Sequence, residues 1–323
     1  MRVLVTGGAG YIGSHTAYAL LDQGHEVVIL DNLSTGVEEN VPKAASFVLG
    51  NVGDPSIVSR TLTAYQIDAV IHFAGSISVP ESVAQPLKYY DNNTAATRSL
   101  IEQCLSANVH QFIFSSTAAV YGMPPVAAVT ETITPDPINP YGDSKWMIER
   151  ILKDTAAATE LRFVALRYFN VAGADPQGRT GQSTPQATHL IKVAAQAALG
   201  RRNGMDLFGT DYDTPDGTCV RDYIHVSDLA DVHILALDYL NDGGQSTIMN
   251  CGYGNGYSVR EVIDVVKKVS ASEFEVREVG RRAGDPPTLI SDPSLVHKTL
   301  PWTPLYNDLE QIVKDALRWE KTL

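Results

Sequence analysis

The chain has little cysteine. Cys104, Cys219 and Cys251 are all it holds, and their wide separation gives neither a zinc-ligand spacing nor a disulfide framework. They read as three reduced structural thiols of a cytoplasmic protein. No apolar run approaches the roughly 18 residues that span a bilayer. Positive charge is also scarce: 37 acidic residues against 25 Lys and Arg leave a net charge of −12. That balance argues against nucleic acid or an acidic membrane surface as a partner. An anionic substrate stays open, because a few local arginines can dominate a pocket. Internal repeats and low-complexity segments are missing. The N-terminus has no targeting design, since Arg2–Val5 runs directly into a glycine turn and reads as a strand.

What is there describes a folded chain. Hydrophobic content is 44% and charged content 19%, which excludes disorder as the main state. A length of 323 residues accommodates one large core or two modest domains. Arg2–Val5 and Glu26–Leu30, ending at Asp31, have the apolar pattern of buried parallel strands, and Tyr11–Gln23 between them that of a helix closed by Gly24. Ser46–Leu49 continues as strand, Asp54–Tyr65 as a helix capped by Asp54, and Asp68–His72 as strand. A long helix over Pro86–Ala107, a strand at Gln111–Ser115, a helix at Pro140–Ala158 and a strand at Arg162–Arg167 complete the alternation. The fold class is therefore α/β, a Rossmann-type doubly wound parallel sheet.

After about residue 170 the rhythm changes. Gly173–Gln186 is rich in Gly, Pro, Ser and Thr and reads as a loop over a site. Helices at Thr188–Leu199, Val226–Leu240, Ser258–Val269 and Asp308–Trp319 alternate with short strands. Residues 1–170 are expected to form the dinucleotide-binding domain and 171–323 a smaller substrate-binding α/β portion. Segments within 221–250, around Tyr223–His225 and Thr247–Asn250, are expected to return to the first sheet.

Between the first strand and helix lies Thr6-Gly7-Gly8-Ala9-Gly10-Tyr11-Ile12-Gly13. Gly7 suits a tight exit from the strand, Gly10 a close approach of pyrophosphate to the backbone, and Gly13 close packing of helix on sheet. The helix N-terminus offers N–H groups and positive partial charge to phosphates. Asp31 ends the second strand, where its carboxylate can accept bonds from both hydroxyls of an adenosine ribose and would repel a 2′-phosphate. NAD is thus expected over NADP. His72 in His72-Phe73-Ala74-Gly75 reads as a satisfied buried histidine rather than a ligand.

Ser115-Ser116-Thr117 follows the fifth strand, above the expected nicotinamide. Tyr141 and Lys145 are four apart and share one helix face. A lysine ammonium and an oxidised nicotinamide both favour phenolate. Tyr141 then suits general-base removal of a proton from a sugar hydroxyl, with Thr117 sharing the hydrogen bond and Lys145 bonding the nicotinamide ribose.

These residues resemble the extended short-chain dehydrogenase/reductase family, and within it the branch that epimerises UDP-hexoses at C4. The matching blocks are Val3–His15, Asp31-Asn32-Leu33, His72–Gly75, Tyr89–Asn93, Phe112–Gly122, Pro140–Lys145, Arg167–Asn170, Gly217–Ala230 and Arg281–Pro287. The resemblance implies a retained NAD, a UDP-hexose substrate, a homodimer built from the Pro86–Ala107 and Pro140–Ala158 helices, and interconversion of UDP-glucose and UDP-galactose through a 4-keto sugar. It implies catalytic roles for Thr117, Tyr141 and Lys145. It places Gly7, Gly10, Tyr11, Ile12, Gly13, Asp31, Asn32, Asn51, Val52, Phe73, Ala74, Gly75, Asn92, Ser115, Tyr141, Lys145 and Tyr168 at the cofactor. It places Thr117, Tyr141, Asn170, His189, Leu190, Asp206, Phe208, Arg221, Arg282, Asp285 and Leu289 at the UDP-sugar. Arg221 and Arg282 suit a diphosphate because a guanidinium offers paired donors.

Some positions depart from the family pattern. Thr117 stands where serine is frequent, Asn51 where an Asp meets the adenine amino group, Ile77 where a lysine lies near the cofactor phosphates, and His189 where asparagine is frequent. Leu289 occupies a gate for the substituent at C2 of the sugar, which leaves UDP-N-acetylhexosamine and UDP-pentose pairs as alternatives. A nucleotide-sugar dehydratase carries an Asp-Glu pair after the strand-end hydroxyl, and UDP-glucuronate decarboxylases often have an acid there. This chain has Ala118-Ala119 at that place. A non-catalytic NAD-sensing regulator would have lost Thr117, Tyr141 and Lys145.

Overall fold

The computed structural model describes residues 1–184, 187–282 and 284–323. In chain order, β1 (Arg2–Thr6), α1 (Tyr11–Asp22), β2 (Glu26–Asp31), β3 (Ser46–Leu49), α2 (Pro55–Ala64) and β4 (Ala69–His72) come first. Then follow α3 (Val79–Ala84), α4 (Pro86–Tyr89), a π-helical turn (Tyr90–Ala95), α5 (Ala96–Ser106), β5 (Gln111–Thr117), β6 (Ala128–Val129), α6 (Pro140–Ala158) and β7 (Arg162–Tyr168). The remainder comprises β8 (Asn170–Ala172), α7 (Leu190–Ala198), β9 (Met205–Phe208), β10 (Val220–His225), α8 (Val226–Asn241), β11 (Thr247–Cys251), β12 (Gly256–Ser258), α9 (Val259–Ser270), β13 (Val276–Val279), β14 (Thr288–Ser291), α10 (Ser294–Thr299) and α11 (Leu309–Glu320).

The large sheet has seven strands in the order β3-β2-β1-β4-β5-β7-β11, all parallel. Alternate side chains face opposite layers. Val3, Val5, Val27, Ile29 and Ile71 pack with Ala17 and Leu20 of α1 and Leu229 and Val232 of α8. Leu4, Val28, Leu30, Val70 and Phe112 pack with Val58 and Leu62 of α2, Leu100 and Ile101 of α5, and Ile148 and Leu152 of α6. Both faces of the sheet are covered, which is why its strands read as near-continuous apolar runs.

Three differences from the sequence pattern follow from tertiary contacts. The helical stretch expected over Pro86–Ala107 is divided by the π turn. There Asn92 donates to Ser76 Oγ at 3.0 Å, Asn93 to Ser76 O and Ser144 Oγ at 3.0 Å each, and Thr94 to Ser144 O at 3.1 Å. Three consecutive side chains are thus drawn sideways, and the wider turn accommodates them. The strand expected to stop at Ser115 runs on to Thr117, because its pairing with β7 continues to Thr117↔Tyr168. The segment Tyr223–His225 pairs with β8 and not with the large sheet, whereas Thr247–Cys251 forms the edge strand beside β7.

β10 is the hub of a smaller sheet, ordered β12-β10-β14-β6 with β8 also on β10, and β9 pairs with β13 apart from both. α7 starts at Leu190, after His189, two residues later than its pattern suggests. The Gly173–Gln186 loop has its last two residues outside the described residues, as is residue 283 of the Arg281–Pro287 block.

Candidate active site

The glycine turn sits between β1, β4 and α1. Gly7 has φ +69°, and a Cβ there would lie 2.6 Å from the backbone nitrogen of Ala74. A Cβ on Gly13 would lie 2.3 Å from Gly7 O, so only glycine lets α1 pack this closely. Gly10 caps α1 without a side-chain bond, and the first turn holds no acidic residue. Its amides and dipole suit an anion. The phenol of Tyr11 is not part of that cradle: it donates to Gly173 O at 2.7 Å, leaving Tyr11 only its backbone to offer there. Ile12 packs in part against the core on the α1 face of the sheet.

At the end of β2, Asp31 is buried and accepts from Ala9 N at 3.0 Å and Leu33 N at 2.8 Å. Asn32 is exposed and accepts from Ser34 N at 3.0 Å. Asn51 accepts from Gly53 N at 2.8 Å. Asn51 and Asn92 line one cleft with Gly53, Asp54 and Ala96, beside the buried Val52. Phe73 rests on His233 with ring centroids 4.8 Å apart. A Cβ on Gly75 would lie 3.7 Å from Lys145 Nζ. His72 is buried between Thr6 and Thr97 at 2.6 and 2.7 Å, and burial lowers it to about 3; it is a neutral structural residue. Ile77 is largely exposed.

The side chains expected to react lie where β5 meets α6. Asn139 caps α6 by accepting from Gly142 N at 2.9 Å, with Pro140 in the first turn. Tyr141 and Lys145 therefore face β5. Thr117 Oγ1 accepts from Ala119 N at 3.1 Å. Burial raises the Tyr141 phenol, and the Thr117 hydroxyl opposes that rise. Lys145 is 2% exposed and donates to Ser115 O at 2.9 Å. Burial brings its ammonium down to about 8. For the Tyr141 phenol, desolvation is the larger of its two influences. The buried Tyr168 hydroxyl, beside Ser115 and Tyr141, makes no well-formed hydrogen bond among the described residues.

Facing this end are residues of the smaller sheet and its loops. Asn170, His189, Leu190 and Tyr223 line one cleft. Arg221 Nη2 is 3.7 Å from Asp285 Oδ1, and the Arg282 guanidinium stands 3.7 Å above the Phe208 ring. Leu289 is opposite Arg221 in the β10–β14 register and packs with Ala118, Val120 and Tyr121, in the turn that follows Thr117. The Asp206 carboxylate, two residues before Phe208 on β9, is engaged elsewhere. It is exposed and bound to Arg277 Nε at 2.9 Å, a consequence of the β9–β13 pairing. Tyr223 escapes the sequence reading; its signal is alternation, two residues beyond Arg221 on β10. Asn93 escapes it too. It is 1% exposed and accepts from Ser76 N at 2.7 Å, tying the β4 loop to α6 through Ser144.

The glycine cradle, the acid-free helix start, the strand-end carboxylate and the buried Tyr168 hydroxyl fit a dinucleotide. The chain belongs to the NAD dependent epimerase/dehydratase family, whose model it matches over residues 3–252. It is 56% identical to the UDP-glucose 4-epimerase of Azospirillum brasilense over 322 residues, covering 100% of this chain and 92% of the relative. A crystal structure of UDP-glucose 4-epimerase from Brucella ovis in complex with NAD superposes with a TM-score of 0.95 at 45% identity, covering 98% and 97% of the two chains. The Bifidobacterium longum enzyme in complex with NAD+ and UDP gives 0.95 at 38% identity, covering 100% and 98%. NAD is the cofactor of the family.

Proposed function

We propose that this chain inverts C4 of UDP-hexoses, interconverting UDP-glucose and UDP-galactose. The observation that carries the reading is the meeting of Tyr141 with the Thr117 hydroxyl, one helical turn from a buried Lys145 Nζ that lies beside Gly75 and donates to Ser115 O. Gly7, Gly10 and Gly13 would hold the pyrophosphate, Asp31 the adenosine ribose, and Lys145 the nicotinamide ribose. The chemistry a bound NAD supplies is reversible hydride acceptance at C4, so no outside reductant is consumed.

Tyr141 takes the O4 proton and returns it after the sugar has turned over, with the Thr117 hydroxyl holding O4 in reach. Arg221 and Arg282 take the diphosphate, exchanging their present partners Asp285 and Phe208 for phosphate oxygens. Asn170, Leu190 and Tyr223 border the cleft in which the sugar turns, and Leu289 bounds it beside Ala118. Residues 1–170 serve mainly the cofactor and 171–323 mainly the UDP-sugar. The neutral Ala118-Ala119 step offers no acid for dehydration. Retention of all three reactive side chains favours an enzyme over an NAD-sensing regulator.

The active unit in this reading is a cytoplasmic homodimer. Val83, Leu87 and Met147 are apolar and 63%, 79% and 40% exposed on α3, α4 and α6, a surface that a second copy would cover.

The test is direct. Purified chain should carry NAD and convert UDP-glucose to a mixture with UDP-galactose without added reductant. NAD-loaded chain that leaves UDP-glucose unchanged would overturn the reading.

A further inference from the structure

Below the reactive face of α6 lies a buried polar network that the chemistry above does not use. Glu149 and Arg167 have side chains 2% and 4% exposed. Arg167 donates from Nε to Oε1 at 2.9 Å and from Nη2 to Oε2 at 2.5 Å, a bidentate pair. Ser116 Oγ donates to the same Oε1 at 2.5 Å. Arg167 Nη1 donates to the Tyr121 hydroxyl at 3.0 Å, and Tyr121 donates to Asn250 Oδ1 at 2.7 Å. One carboxylate on α6 is thereby bound to β5 and β7, and through Tyr121 to β11.

Tyr141, Lys145 and Glu149 repeat at intervals of four and share one face of α6. They meet three consecutive residues of β5. Lys145 takes the Ser115 carbonyl, Glu149 takes the Ser116 hydroxyl, and Tyr141 lies by the Thr117 hydroxyl. A buried ion pair is a poor way to gain stability, since well-packed apolar residues of similar volume do as well or better. What it supplies is direction, because planar bidentate bonds fix both angle and distance.

We propose that Glu149 is a positioning residue: locked by Arg167 and Ser116, it sets the rotation and height of α6 against β5, and so the reach of Tyr141 and Lys145. This rests on the 4-epimerase reading. UDP-sugar affinity comes from the separate Arg221, Arg282 and Asn170 group, so loss of the lock acts on turnover and not on binding.

The experiment compares NAD-loaded wild type, Glu149→Gln, and the pair Glu149→Leu with Arg167→Met, measuring kcat, KM for UDP-glucose and Tm. In Glu149→Gln, kcat falls about ten- to a hundredfold, as for a misplacement near 1 Å, with KM held within about twofold. The apolar pair recovers the wild-type Tm or exceeds it yet keeps at least about a tenfold kcat deficit. Wild-type kcat in Glu149→Gln, or recovery of kcat together with Tm in the apolar pair, overturns the proposal. Where the charge variants do not fold, Ser116→Ala removes only the hydroxyl between β5 and Glu149. Its kcat falls about fivefold, and an unchanged kcat overturns the proposal equally. Wild type without interconversion is a different outcome, and overturns the functional reading instead.

Discussion

The ammonium of Lys145 donates to the backbone oxygen of Ser115 at 2.9 Å, and burial holds it down to about 8. In the unfolded chain the same group titrates near about 10.4. Below about pH 8 both states are protonated, and the folded state carries the full cost of a buried cation. Between about pH 8 and 10 the folded chain sheds its proton first, so this site gains stability as pH rises. Lys145→Met in cofactor-free protein should therefore raise the unfolding free energy by about 1–3 kcal/mol near pH 7, with the gain fading above about pH 10. Urea titrations across that range check it, and turnover of the variant should be nearly abolished.

Tyr141→Phe deletes one oxygen from the partly exposed ring at the start of α6. Turnover should fall by about 10²- to 10⁴-fold, the usual contribution of a placed acid–base group. Circular dichroism and bound NAD should stay as in wild type. Near-normal turnover would remove Tyr141 from the mechanism.

Gly13→Ala would press a methyl group against Gly7 O, where a Cβ has only 2.3 Å. Backbone on both sides must give way. The expected cost is about 1–3 kcal/mol, typical of overpacking. Because the displaced atoms belong to the proposed phosphate cradle, NAD should be lost as well, measured by releasing bound dinucleotide from denatured protein and quantifying it by ultraviolet absorbance.

Leu289→Ala tests the sugar boundary. Leu289 is buried against Ala118, Val120 and Tyr121. Its truncation should cost about 2–5 kcal/mol of stability and open space at the sugar. The ratio of kcat/KM for UDP-N-acetylglucosamine over UDP-glucose should rise about tenfold. An unchanged ratio would place the C2 substituent elsewhere.

The glycine turn and the Tyr141/Lys145 face are legible in the sequence because each depends on spacing inside one local unit. Gly7 needs φ above zero, Gly13 needs a missing side chain, and two residues four apart on a helix must share a face. Asp54 as the cap of α2 is equally local, accepting from Ser56 N at 2.9 Å. The smaller sheet is not legible in this way. β8 meets β10 at Asn170↔Tyr223, and β14 meets both β10 and the two-residue β6. Such pairings are decided by distant partners and leave no period in so short a run. Asp206 shows the same limit, since its neighbour Arg277 arrives only through the β9–β13 pairing. The π turn is hidden for another reason: Asn92, Asn93 and Thr94 look helical in sequence, and only the positions of Ser76 and Ser144 draw them out of register.

Thr247–Cys251 completes the large sheet beside Arg162–Tyr168. During synthesis, residues 1–170, the proposed dinucleotide-binding part, emerge from the ribosome while the outer flank of β7 still has open amides and carbonyls. That flank can recruit a stray strand until the chain has grown past Cys251. Fragments cut after residue 170 should for the same reason precipitate rather than bind dinucleotide.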